Sequence, residues 1–303
     1  MSLLASPARI AECTRDNFRG TPYQELWCLY PPTEVLYSKF EKSTNEDFYP
    51  DHLVWVQNNP AVPLIAVACY VAFITLGPAI MKNREAFNFR KAMASWNLFL
   101  SLFSFAGMMR TLPHLLHNLG TMSGREVLCT DAETAYGSGS TGIWVFAFCF
   151  SKIPELFDTF FLVAHKKPVI FLHWYHHITV LLYCWHSYAT KSPAGLFFIV
   201  MNYAVHAIMY GYYYLTCIKA KPKWLNPMII TCAQISQMVV GVVVQLMSFY
   251  YYHTAGSSPA ACEIKQQNVI AGFMMYGSYL FLFAQFFACR YLTRKKKGPK
   301  KID

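Results

Sequence analysis

The 303-residue chain is 55% hydrophobic and 17% aromatic but only 14% charged, against roughly a quarter charged in a soluble domain. This excludes an ordinary soluble globular protein. The formal net charge of +10 reads as membrane topology and attraction to anionic headgroups, with no nucleic-acid partner.

In chain order, residues 1–60 hold no apolar core long enough for a secretory signal peptide and are punctuated by Pro31, Pro32, Pro50 and Pro60. They read as a partly ordered lumenal lead-in, with Trp27, Tyr30, Phe48, Tyr49 and Trp55 as candidates for the membrane interface. A membrane domain over 61–292 follows, with the first span as its insertion signal. Its fold class is all-α and polytopic. Seven transmembrane helices are expected, near 61–81, 92–112, 143–164, 169–188, 194–217, 227–250 and 269–291, each close to the roughly 20 residues that cross a bilayer. Residues 293–303 form a basic tail ending in KKID, which reads as a dilysine retrieval signal for the endoplasmic reticulum.

Lys82, Arg84, Arg90, Lys91, Lys166, Lys167, Lys219, Lys221 and Lys223 fall in alternate loops, together with the tail. The other loops carry only Arg125, Lys191 and Lys265. Positive charge marks the cytosolic side, so the C-terminus is expected in the cytosol and the N-terminus in the lumen. Of ten cysteines, most lie within spans. Cys129 and Cys262 fall in two lumenal loops, an oxidising setting, and are expected to pair.

Four spans carry polar stripes. In HWYHH, His176 and His177 lie within about 60° of His173 on a helix of 3.6 residues per turn. Asn202, His206, Met209, Tyr210 and Tyr213 share a stripe in the fifth span. In KIPELFDT, Lys152, Glu155 and Asp158 recur at three-residue steps and drift over about 120°. Thr231, Gln234 and Gln237 repeat the same step in the sixth span. Singly, each stripe has a structural reading: a satisfied histidine, a buried ion pair or interhelical hydrogen bonds. Polar side chains avoid lipid, however, so four stripes in adjacent spans are expected to converge on the bundle interior or a wet cavity. Imidazoles, amides, phenols and a Lys/carboxylate set there suit acyl transfer.

KIPELFDT, HWYHH, HAIMYGYY and TCAQISQ resemble, in order and spacing, the signature segments of the ELO family of very-long-chain fatty acid elongases, over roughly residues 60–295. The resemblance implies condensation of a long-chain acyl-CoA with malonyl-CoA to a 3-ketoacyl-CoA, carbon dioxide and CoA. No cofactor is implied. It also implies that spans two to seven surround an acyl tunnel, with span one outside and the CoA end cytosolic. Pro168 stands where the polyunsaturated-acting branch carries Gln, which favours the saturated and monounsaturated branch.

The expected mechanism has His176 as nucleophile, forming an acyl-imidazole, with direct attack in a ternary complex as the competing route. His206 and Asn202 are expected to position the malonyl group, and His173 and His177 to orient the nucleophile or carry a proton. Asp158 supports the site, and Lys152 is a candidate for the malonyl carboxylate. Glu155, Met209, Tyr210, Tyr213, Gln234 and Gln237 are candidate substrate-binding residues. Lys82, Lys166, Lys167 and Lys219 are candidates for the CoA phosphates, though topology alone also explains them. Candidate partners are the bilayer, the reductase and dehydratase of the elongation cycle, and a second copy forming a homodimer. Two alternatives compete: a di-iron desaturase or hydroxylase, weakened by the lack of a second HxxHH, and a non-enzymatic seven-helix receptor or transporter.

Overall fold

The computed structural model describes residues 6–17, 19–43, 48–254 and 262–292. The basic tail and its KKID ending lie outside the described residues.

The N-terminal segment is built more extensively than a partly ordered lead-in. Helix α1 (Pro7–Cys13) starts at Ser6, whose hydroxyl accepts from the Arg9 N–H, with Pro7 opening the first turn as suits its missing donor. Strands β1 (Thr14–Asp16) and β2 (Pro22–Gln24) pair antiparallel; they are the only sheet among the described residues. Helices α2 (Leu26–Leu29), α3 (Lys39–Ser43) and α4 (Phe48–Asn58) follow. A Cys13–Cys28 disulfide, which the sequence reading missed, staples α1 to α2. The Tyr30 hydroxyl lies 3.0 Å from His117 Nδ1.

The membrane domain begins with α5 (Ala61–Met81) and α6 (Arg90–Thr121). The short α7 (Gly124–Cys129) has a reciprocal capping box between Ser123 and Glu126. Then come α8 (Gly139–Ser151), α9 (Asp158–Ala164), α10 (Phe171–Ala189), α11 (Gly195–Cys217), α12 (Pro227–Thr254) and α13 (Gln266–Phe287). Among the described residues, five helices are long and apolar enough to cross a membrane: α5, α6, α11, α12 and α13 with its π-turn to Leu292.

The two remaining expected spans differ for identifiable reasons. Helix α10 has nearly the right length, but its histidines reduce its apolarity. The third span is interrupted. Pro154 has no N–H to continue the ladder, so α8 ends at Ser151 and a 3-10 turn (Pro154–Phe157) leads into α9.

Helix α6 packs on α8 and α11, α11 on α12, α12 on α13, α13 on α10, and α10 on α8, which closes a ring. Helix α5 packs on α9 and α10 from outside. The α6–α11 approach is close because residue 107 is Gly: a Cβ there would collide with the Tyr203 ring. Cys129 and Cys262 are joined by a disulfide at one end of the bundle. The lysine-bearing loops gather at the other end, where Lys166 Nζ donates to the carbonyls of Lys82 and Arg84.

Candidate active site

The interruption at Pro154 creates the first part of the site. A 3-10 turn has three residues per turn, so groups three apart stack rather than drift. Lys152 thereby reaches Glu155 directly, with Nζ 2.8 and 3.0 Å from Oε1 and Oε2. Both side chains are deeply buried, 2% and 4% exposed. The third Lys152 donor goes to Asn202 Oδ1 at 3.1 Å. An ammonium only donates, which fixes the Asn202 carbonyl toward Lys152 and its amide nitrogen toward His206 Nε2, 3.2 Å away. His206 Nε2 must then accept, so its proton sits on Nδ1, 3.9 Å from Glu155 Oε2. One chain of polar groups thus sets the orientation of a histidine.

Asp158 is held separately. Its Oδ1 accepts from Trp96 Nε1 and its Oδ2 from the Tyr210 hydroxyl, each at 2.6 Å. Trp96 brings α6 into the site, a contribution no sequence pattern marked.

On α10 the box histidines share a face, as helical spacing predicts. The His173 and His177 rings lie 4.5 Å apart, centroid to centroid, and His176 and His177 5.6 Å. His173 Nε2 lies 2.9 Å from Thr159 Oγ1. Tyr279 of α13 donates to the His176 carbonyl at 3.1 Å and its ring flanks the imidazole.

These groups border one cavity of about 620 Å³. His173, His176, His177, Asn202 and His206 line it, with Glu155, Asp158, Met209, Tyr210, Tyr213, Gln234 and Gln237. Gln234 Nε2 donates to Met209 Sδ at 3.3 Å, joining α12 to α11.

Five expected residues stand apart. Lys152 does not line the cavity; Glu155 and Asn202 occupy its donors, so it supports the site from behind rather than facing a substrate carboxylate. Lys82, Lys166, Lys167 and Lys219 also lie outside the lining and are exposed. Lys166 and Lys219 take left-handed backbone angles, φ 53° and 61°, just past the ends of α9 and α11. There the following N–H groups return to the last turn, a position where cations complement the helix dipole.

Arg290, at the end of the seventh expected span, went unmarked, yet it lines the cavity. The HLLH histidines are structural. His114 Nδ1 meets Thr141 Oγ1 at 2.8 Å, and both nitrogens of His117 are engaged, by Tyr30 and Gln24.

The chain matches the ELO (GNS1/SUR4) family over residues 55–299. The chain belongs to the ELO family. Among ELO relatives, fatty acid elongase 3 of Trypanosoma brucei brucei is 40% identical over 269 residues, covering 80% of this chain and 88% of the relative. Very long chain fatty acid elongase 4 of Trypanosoma cruzi is 42% identical over 240 residues, 77% and 82% of the two chains. Very long chain fatty acid elongase 6 of Gallus gallus is 38% identical over 265 residues, 88% and 96%. The ELO match begins at residue 55, so the disulfide-stapled N-terminal segment lies before it.

Proposed function

We propose that this protein is a fatty acid elongase that acts as a 3-oxoacyl-CoA synthase. It condenses a long-chain acyl-CoA with malonyl-CoA and releases carbon dioxide, CoA and a 3-ketoacyl-CoA two carbons longer. The observation that carries this reading is the meeting of four imidazoles, from α10 and α11, at one cavity beside an ordered Lys152–Glu155–Asn202 network.

In the mechanism, a neutral His176 attacks the acyl thioester. The C–S bond breaks, the acyl group passes to the ring, and the imidazole proton leaves to the CoA thiolate. Acyl-imidazole remains reactive, which makes histidine a fitting carrier. Malonyl-CoA then loses carbon dioxide, and its enolate attacks the acyl carbon and expels imidazolate, which takes up one proton from water to restore neutral His176. In this reading Asn202 and the Nδ1–H of His206 steady the enolate oxygen. His177, between the other two box rings, carries the proton.

The same reading puts seven spans in the endoplasmic reticulum membrane, with the basic end in the cytosol and the two disulfides in the lumen. The cavity is then the CoA-side mouth of an acyl tunnel, where Lys82, Lys166, Lys167 and Lys219 attract the CoA phosphates. A smaller apolar chamber of about 70 Å³ lies beyond the histidine layer toward the disulfide end, between residues such as Phe148, Cys184 and Phe198. The acyl tail extends into it. The reductase and dehydratase of the elongation cycle, and a second copy of the chain, are its proposed partners.

Incubating purified protein with acyl-CoA alone tests the covalent route. Stoichiometric CoA release with an acyl adduct on His176 is expected. No release and no adduct, in a preparation that condenses when malonyl-CoA is added, would favour attack within a ternary complex.

A further inference from the structure

Helix α5 packs outside the ring and faces mostly lipid, yet it carries one polar side chain inward. Tyr70 is only 4% exposed, and its hydroxyl lies 2.8 Å from Thr159 Oγ1. Thr159 is fully buried and lies 2.9 Å from His173 Nε2. Three groups on three helices thus form one line from the outer helix to the cavity.

The direction of that line follows from counting protons. Each hydroxyl has one, and among the described residues the Tyr70 hydroxyl has Thr159 as its one partner. If Thr159 donated to Tyr70, the phenol proton would be left in an apolar setting without an acceptor, which is costly. With Tyr70 donating to Thr159 and Thr159 donating to His173 Nε2, every proton is used. His173 Nε2 then accepts, and the ring carries its own proton on Nδ1.

We propose that Tyr70 and Thr159 are positioning residues that lock His173 as the Nδ1–H tautomer, so that it serves the cavity as a hydrogen-bond donor and not as a base or nucleophile. This rests on the condensation reading and deepens it: the ring would donate to the thioester oxygen as negative charge develops there. It also assigns the outer helix a part in the site. A donor fixed by a buried relay needs no reorganisation when the charge appears.

The test combines a structural signature with kinetics on the full-length protein in detergent. Histidine 15N shifts report the tautomer without any turnover, so they remain readable even if the enzyme proves to catalyse another reaction. Wild-type protein should show His173, assigned through a His173→Gln sample, with a protonated Nδ1. Thr159→Val should release the ring into a mixture of tautomers and lower kcat for condensation by about tenfold to a hundredfold with little change in KM. Thr159→Ser should restore both the tautomer and kcat. Tyr70→Phe should lower kcat by about fivefold and produce no further loss on the Thr159→Val background. A protonated Nε2 in the wild type overturns the proposal. So do unchanged kcat in Thr159→Val, or losses from Tyr70→Phe and Thr159→Val that simply multiply.

Discussion

Two regions of the molecule bury carboxylates and histidines, and one of them borders the cavity of about 620 Å³. Toward the disulfide end, the N-terminal segment docks on the bundle through buried acids. Glu25 accepts from the Ser140 backbone and hydroxyl, and its approach depends on Gly139, whose left-handed backbone and missing Cβ leave it room. Glu41 accepts from Arg110, Trp144 and the Ser38 backbone. His117 uses both ring nitrogens. In the ring interior, Lys152 and Glu155 are equally buried, but His173, His176, His177 and His206 line that cavity. Burial of polar groups therefore marks order in both places. A site is marked by polar groups that stay directed at a cavity after their supporting bonds are made.

The largest expected effect comes from breaking the interior network. Lys152→Ala leaves Glu155 buried without its cation and should destabilise the fold by about 3–5 kcal/mol, read as a large drop in thermal midpoint in detergent. Lys152→Met with Glu155→Gln removes both charges and should recover much of that stability while condensation stays lost, because nothing then orients Asn202 and His206. A Lys152→Ala protein that keeps the wild-type midpoint would show that the pair matters little to folding.

The N-terminal region predicts a different, pH-linked behaviour. Burial alone would raise the Glu41 pKa, but hydrogen bonds from Arg110, the Ser38 backbone and Trp144 outweigh it and lower it to about 2. A folded pKa below the ordinary value of 4.5 means that this stabilisation is complete above about pH 4.5 and is lost as pH falls toward 2. Unfolding followed between pH 5 and 2 should therefore steepen over that window, and Glu41→Gln should flatten it. A smaller change, Trp144→Phe, removes one donor and should move the acid limb toward higher pH, with a loss of about 1–2 kcal/mol. An acid limb indifferent to all three donors would sever this region from the account.

Much of this contrast was legible in the sequence. Apolar blocks give the membrane spans because a bilayer leaves little choice, and the α10 and α11 stripes emerge as spaced because those helices are regular. The third span was less legible. Its three-residue polar step suggested drift on an α-helix, whereas Pro154 imposes a turn whose own period is three. The step itself was the overlooked signal. Trp96, Tyr70 and Arg290 were hidden for another reason: each belongs to the site through its neighbours in space, and an aromatic or a terminal arginine in a span has ordinary roles. Cys13 and Cys28 were readable in principle, since both precede the first span on the same expected side as Cys129 and Cys262.

The central claim is that imidazole at position 176 performs the condensation. The direct measurement is incorporation of isotope-labelled malonyl-CoA into 3-ketoacyl-CoA by purified wild type and by His176→Ala, matched for thermal midpoint. Wild-type protein should form labelled product, and the variant should fall by at least about a hundredfold. A folded His176→Ala protein that elongates at a comparable rate would contradict the account.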